Sequence, residues 1–149
     1  MTTVSSPALD LWIVLARAFE SVRAQAEIDI RQYGLTPSEF GVLEALYHKG
    51  PMSLTELQQK ILVTSGGMTY LIDRLEKKGH VSRKPIPSDR RACQASLTSK
   101  GRKLIARIFP THAETIENIL AGLSRAEQKT ARTLLRKLGQ HAAQLTGNK

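Results

Sequence analysis

The chain has 149 residues, 22 Lys and Arg against 13 Asp and Glu, and a formal net charge of +9. That length fits one domain, or one domain with helical extensions, and 41% hydrophobic residues suffice for a core, which excludes a chain disordered by composition. A single cysteine excludes an intrachain disulfide and any metal motif built on paired cysteines. The longest apolar stretch, residues 11–16, is far too short to cross a bilayer. No basic run opens the chain, and Asp10 precedes the apolar stretch, which argues against a signal peptide. The expectation is a soluble, cytoplasmic, basic protein whose partner is a polyanion, nucleic acid in the simplest case. Composition alone still allows a basic membrane-surface protein.

The charge is concentrated. Residues 1–50 carry a net −2, residues 51–103 a net +7 and residues 104–149 a net +4. Most of the excess therefore lies in a contiguous middle third, as a dedicated electrostatic footprint requires.

In chain order, a long helix is expected from Pro7 to Tyr33, capped by Ser6, with Pro7 at its first position and Gly34 beyond its end. Its run Leu11-Trp12-Ile13-Val14-Leu15 is apolar on every side, so in a small domain a partner chain must cover it. Thr36-Pro37-Ser38-Glu39 is a capping box, and the helix it opens carries Phe40, Leu43, Leu46 and Tyr47 before stopping near Gly50. Ser53-Leu54-Thr55-Glu56 reads as a second box, opening a short helix to about Ile61. After a tight turn another helix starts at Thr64 or Ser65. Met68, Leu71, Ile72 and Leu75 form its apolar stripe, and Lys77-Lys78-Gly79 closes it. Two short helices joined this way inside the basic third make a helix-turn-helix.

The segments from Val81 to Pro85 and from Arg91 to Leu97 read as a β-hairpin with a basic tip, a wing, in which Pro85 and Pro87 suit an edge or a loop. Cys93, Ala95 and Leu97 share one strand face, which makes Cys93 a small buried residue. Thr98 caps a helix running to Ile119 and Leu120, with a kink expected at Pro110. Ser124-Arg125-Ala126-Glu127 is a third capping box, and the last helix has a stripe of Leu134, Leu135, Leu138, Ala142 and Leu145. The fold class is therefore mainly α with a small β-hairpin, a winged helix-turn-helix. Residues 1–34 form a dimerisation helix, 35–97 the DNA-binding lobe and 98–149 the dimerisation helices of one intertwined unit.

A helix-turn-helix places the N-terminal turn of its second helix in the major groove. The candidates there are Thr64, Ser65, Gly66, Met68, Thr69 and Tyr70, with Ser53 at the start of the first helix. Ser and Thr hydroxyls bond base edges or phosphates, and Met68 would touch a thymine methyl. Gly66-Gly67 costs roughly 1 kcal/mol per residue inside a helix relative to Ala, a cost that close approach of backbone to DNA would rationalise. Asp89-Arg90-Arg91 supplies arginines for a narrow minor groove, with the Asp89 carboxylate suited to hold a guanidinium by paired hydrogen bonds. Lys60, Arg74, Arg83 and Lys84 are placed to contact phosphates.

Three stretches, Leu75-Glu76-Lys77-Lys78-Gly79-His80-Val81, Ser88-Asp89-Arg90-Arg91-Ala92 and Leu97-Thr98-Ser99-Lys100-Gly101, together resemble the signature of the MarR family of dimeric winged-helix transcription regulators. The resemblance spans nearly the whole chain. It implies that the helix starting near Thr64 is the recognition helix, that Asp89 and Arg91 match the family's wing-tip Asp-x-Arg with Arg91 in the minor groove, and that Arg74 sits near the DNA backbone. Tyr70 departs from the pattern, standing where many relatives carry Arg or Lys. The stretch from Val63 to Tyr70 is similar to the branch that answers phenolic and quinone-like compounds.

The resemblance further implies a homodimer on a pseudo-palindromic operator and a small aromatic or phenolic ligand held between the dimer helices and the lobe. Trp12, Arg17, Phe19 and Tyr47 are the ligand candidates, aromatic walls with one cation. Two alternatives to this reading are a winged-helix protein-interaction module and a redox-sensing regulator acting through Cys93. Relatives that sense oxidants carry the reactive thiol in the first helix, where this chain has none. His112 with Glu114 gives a thin metal signal, best read as ordinary hydrogen-bonded or exposed side chains. No catalytic set or phosphate loop stands out, so neither an enzyme nor a cofactor is expected.

Overall fold

The computed structural model describes residues 6–61 and 65–147, apart from the side chains of Ser65 and Arg90. Among these residues the elements follow as α1 (Pro7–Arg31), α2 (Pro37–Lys49), β1 (Met52–Ser53), α3 (Leu54–Ile61), α4 (Ser65–Lys77), β2 (Val81–Ile86), β3 (Asp89–Leu97), α5 (Ser99–Leu120) and α6 (Arg125–Thr146).

The caps act where the sequence places them. Ser6 Oγ accepts from the Leu9 N–H, and complete capping boxes close on Thr36 with Glu39 and on Ser124 with Glu127. Thr98 Oγ1 accepts from the Gly101 N–H and donates to the Gly79 carbonyl, so one hydroxyl starts α5 and fastens it to the turn after α4. At Ser53 the Oγ accepts from the Glu56 N–H at 3.1 Å. Gly79 takes φ +79, the left-handed conformation that ends α4. Helix α5 continues through Pro110 as one element.

One strand is absent from the sequence reading. Met52 and Ser53 form β1, which pairs with β3 opposite Ala95 and Gln94, so the sheet has the order β1-β3-β2, antiparallel throughout. Two residues give no alternation to detect. Pro85 lies on the edge strand β2, where its missing N–H costs no ladder bond. The wing turns at Pro87-Ser88.

The core joins Phe40, Val42, Leu43 and Leu46 of α2, Leu57 of α3, and Met68, Ile72 and Leu75 of α4, with Ala95 of β3 closing it from the sheet. It extends past residues 35 and 97, because Ile30 of α1 and Ile105 and Ile108 of α5 belong to it. The end of α1 and the first half of α5 are thus packed into the lobe. The rest of α1 and all of α6 are bare in the single chain: Trp12 is 68% exposed, Phe19 63% and Leu134 60%, and α6 buries no residue. The run read as buried all round is instead solvent-facing here, as a segment that needs a second chain would be.

Candidate nucleic-acid interface

Helix α4 splits into two faces. Met68, Leu71, Ile72 and Leu75 point into the core. Gly66, Thr69, Tyr70 and Lys77 are exposed, and Asp73 and Arg74 are half-buried. This corrects the reading of Met68 as a base contact. At 1% exposure its thioether is core and cannot reach a thymine methyl. Thr64 lies outside the described residues, as do the side chains of Ser65 and Arg90.

Behind the exposed face sits an anchored network of charge. Glu39 is fully buried and takes the Lys78 ammonium at 2.6 Å, while its Oε1 accepts from the Thr36 N–H. Lys78 also donates to the Gly34 carbonyl at 3.2 Å. Burial alone would push the Glu39 carboxyl up, but Lys78 and Thr36 outweigh it and hold the carboxyl below its usual range. The pair ties the end of α4 to the start of α2. Arg74, one turn before Lys78, donates to the Tyr70 hydroxyl at 3.1 Å and lies 3.8 Å from Glu39 Oε1.

The wing is fixed to α4 by a second network. Arg83 on β2 donates to Asp73 at 2.6 Å and to Glu76 at 2.5 Å. Burial works against the charged guanidinium, and the two carboxylates overcome it and keep it cationic. Arg83 is therefore the clasp between the wing and α4 and not a free phosphate contact, which corrects that expectation. The available signal was the acid pair three residues apart on α4, followed by a basic strand start. Lys84, its neighbour, is exposed.

At the wing tip Asp89 Oδ1 accepts from the Arg91 backbone N–H at 3.0 Å. The carboxylate shapes the chain rather than pairing with the guanidinium as expected, and the Arg91 side chain is exposed. Cys93 is exposed as well, against the expectation of burial. It shares its face with buried Ala95, but it stands opposite Pro85, further out along the wing and past the core that Ala95 closes. Ser53 is half-buried at the entrance to α3.

The ligand candidates divide. Trp12, Arg17 and Phe19 are exposed on α1, whereas Tyr47 packs in an aromatic group with His48 at 5.2 Å and Phe109 at 6.3 Å between ring centres. His112 is buried against Asp29 and Phe40, and Glu114 is exposed, so the two do not form a metal pair. Among the described residues no helix is long and apolar enough to cross a membrane.

A helix-turn-helix with its second helix half open, clasped to a basic hairpin, defines a winged helix-turn-helix DNA-binding protein. The MarR family model matches residues 35–93. The chain is 41% identical over 141 residues to the HTH-type transcriptional regulator MhqR of Bacillus subtilis (strain 168), spanning 95% of this chain and 97% of that one. The solved structure of Bordetella bronchiseptica BpsR, whose DNA binding is regulated by 6-hydroxynicotinic acid, is similar with a TM-score of 0.78 and 28% identity, over 87% of this chain and 98% of that one. A mutant MarR from E. coli complexed with operator DNA shares the fold with a TM-score of 0.81 at 22% identity, over 92% and 99% of the two chains. The chain belongs to the MarR family and is a DNA-binding transcriptional regulator.

Proposed function

We propose that the protein is a cytoplasmic, homodimeric repressor that sits on a pseudo-palindromic operator and leaves it when a small aromatic, phenolic or quinone-like compound binds. The observation that carries this reading is the Arg83 clasp to Asp73 and Glu76, which gives the exposed face of α4 and the Arg91 wing tip one fixed relation. Two DNA-reading elements held in register can enter adjacent major and minor grooves together. Thr69 and Tyr70 read base edges, Gly66 admits close approach, and Arg91 enters the minor groove. Lys60, Arg74 and Lys84 meet phosphates, which set register without reading sequence.

The bare apolar faces of α1 and α6 meet those of a second chain, which projects two lobes with two-fold symmetry and half-sites roughly 34–36 Å apart. Residues 1–34 and 98–149 supply this body, and 35–97 the reading lobe. The ligand sits between body and lobe, against Trp12, Arg17, Phe19 and Tyr47. It acts only through its different affinity for the DNA-competent and incompetent spacings of the lobes. The regulated DNA binding of BpsR supports a ligand of this kind, a small hydroxylated aromatic acid.

The test is selection of bound duplexes from a random library, followed by competition with a panel of phenols, quinones and aromatic acids. A pseudo-palindromic consensus released by one of these compounds is the expected result. A consensus that none of them releases would leave the regulator and remove the ligand class. Exposure of Cys93 favours a second reading, release by thiol oxidation. A Cys93→Ser variant that keeps its full response to quinones excludes it.

A further inference from the structure

Tyr70 is the large apolar side chain that α4 leaves in solvent, at 60% exposure, on the face opposite the core stripe. It lies one turn before Arg74, and the two are joined twice. Arg74 Nη1 donates to the phenol oxygen at 3.1 Å, and the guanidinium carbon stands 5.7 Å from the centre of the ring. Arg74 is in turn drawn back toward the buried carboxylate of Glu39, 3.8 Å away. A guanidinium has donors only, so the direction of the bond is fixed: the Tyr70 oxygen accepts, and its own O–H is free to donate elsewhere. The neighbouring cation polarises that O–H and makes it a better donor. The hydrogen bond and the nearby guanidinium also hold the ring before any DNA arrives, which lowers the ordering cost of binding.

We propose that Tyr70 is a base-reading residue for the thymine of an A·T pair in each half-site, with Arg74 as its positioning residue. The inference rests on the duplex-DNA reading above and names part of its specificity. A preset donor rejects the amino edges of cytosine N4 and adenine N6, which are donors themselves, and takes an acceptor. Among the bases, thymine alone offers an acceptor, O4, beside an apolar 5-methyl group. The phenol matches both, its O–H facing O4 and its ring edge against the methyl. Arg74, occupied by Tyr70 and Glu39, supplies charge toward the backbone rather than a paired contact to guanine.

The experiment uses the full-length protein and a randomised duplex library, with the wild type, Tyr70→Phe, Tyr70→Ala, Arg74→Ala and the double variant selected in parallel. The wild type is expected to fix thymine at one position per half-site. Tyr70→Phe keeps the ring and lowers discrimination there by about five- to tenfold, the scale of one hydrogen bond, leaving the other positions as they were. In the duplex the wild type selects, uracil in place of that thymine removes only the methyl. It weakens the wild type and Tyr70→Phe but has no further effect on Tyr70→Ala. Arg74→Ala weakens all sequences, yet in the Tyr70→Phe background it changes discrimination at that position no further. Equal thermal melts for wild type and Tyr70→Phe show that an exposed substitution has left the fold intact. An unchanged consensus for Tyr70→Phe, or guanine at the affected position, overturns the proposal while leaving the operator reading in place. Failure of the wild type to select any sequence overturns both.

Discussion

His112, in the middle of α5, stands with Nδ1 2.9 Å from Oδ2 of Asp29, near the end of α1, and both side chains are buried. The imidazole lies against Phe40 of α2, ring centres 4.4 Å apart, and the Thr115 hydroxyl reaches the other Asp29 oxygen at 3.4 Å. The pair spans 83 residues and, with Phe40, fastens α1, α2 and α5 at one point.

Removing the imidazole leaves the Asp29 carboxylate in a buried site with one long hydroxyl bond. His112→Ala is expected to lower stability by about 2–4 kcal/mol, the range for breaking a buried polar pair. Urea unfolding measures it. A loss below about 0.5 kcal/mol would show that the pair does not hold the junction.

Two glycines should behave oppositely. A Cβ at Gly101 would collide with the His80 carbonyl oxygen, because the first turn of α5 lies directly on the turn after α4. Gly101→Ala must shift backbone, and a loss of more than about 3 kcal/mol is expected in the same unfolding assay. A Cβ at Gly66 would meet no atom of the described residues beyond its own turn of helix within 4 Å. Gly66→Ala should leave the free protein as stable, or raise its stability by up to about 1 kcal/mol. It should weaken operator binding if DNA backbone occupies that space, and equal affinity in a titration would remove Gly66 from the interface.

These two positions also mark what sequence can and cannot convey. The glycine at 66 advertises a tolerance for close approach, but the collision at Gly101 depends on His80, in a turn distant in sequence. Caps at Ser6, Thr36, Thr98 and Ser124 were legible because a cap is a local hydrogen bond between residues three apart. The wing and α4 were legible from alternation, a basic tip and the apolar stripe of α4. What was not legible is long-range pairing. Arg83 reads as a free cation until Asp73 and Glu76 are folded beside it, and Cys93 reads as core until the fold places it out in the wing, past the last core contact at Ala95. Met68 carried two readings, stripe and base contact, and helical phase decides for the stripe.

The pH dependence follows from two groups. The Glu39 carboxyl lies below its ordinary value of 4.5, so its contribution is complete above that value and is lost as acid carries the pH down through the folded value. The His80 imidazole is also lowered from 6.5, first by burial and then by the Lys100 and Lys78 ammoniums. The folded state therefore resists protonation of His80, and its stability declines as pH falls below about 6.5. Urea midpoints should fall from pH 7.5 to 5.5 and again below 4.5, and His80→Gln should flatten the first step. Midpoints that rise on acidification between pH 6.5 and 5.5 would contradict this assignment.

Arg83 and Arg91 separate stability from binding. Arg83→Ala releases the wing, so it should lower the melting temperature and weaken DNA binding together. Arg91→Ala touches only an exposed tip and should leave the melt unchanged, weaken operator binding and flatten any preference for A·T pairs in the outer minor grooves. Equal affinity for Arg91→Ala and wild type would remove the wing tip from the interface.

The central claim is that the +7 of residues 51–103 is a footprint for duplex DNA. The most direct measurement is operator affinity against salt, for the wild type and Arg91→Ala on the duplex that the wild type selects. The account predicts a linear fall of log affinity with log salt, with a slope set by the phosphates neutralised, and a slope smaller by about one for Arg91→Ala. An affinity indifferent to salt, or a slope equal for random and selected duplexes with no difference in affinity between them, would contradict it.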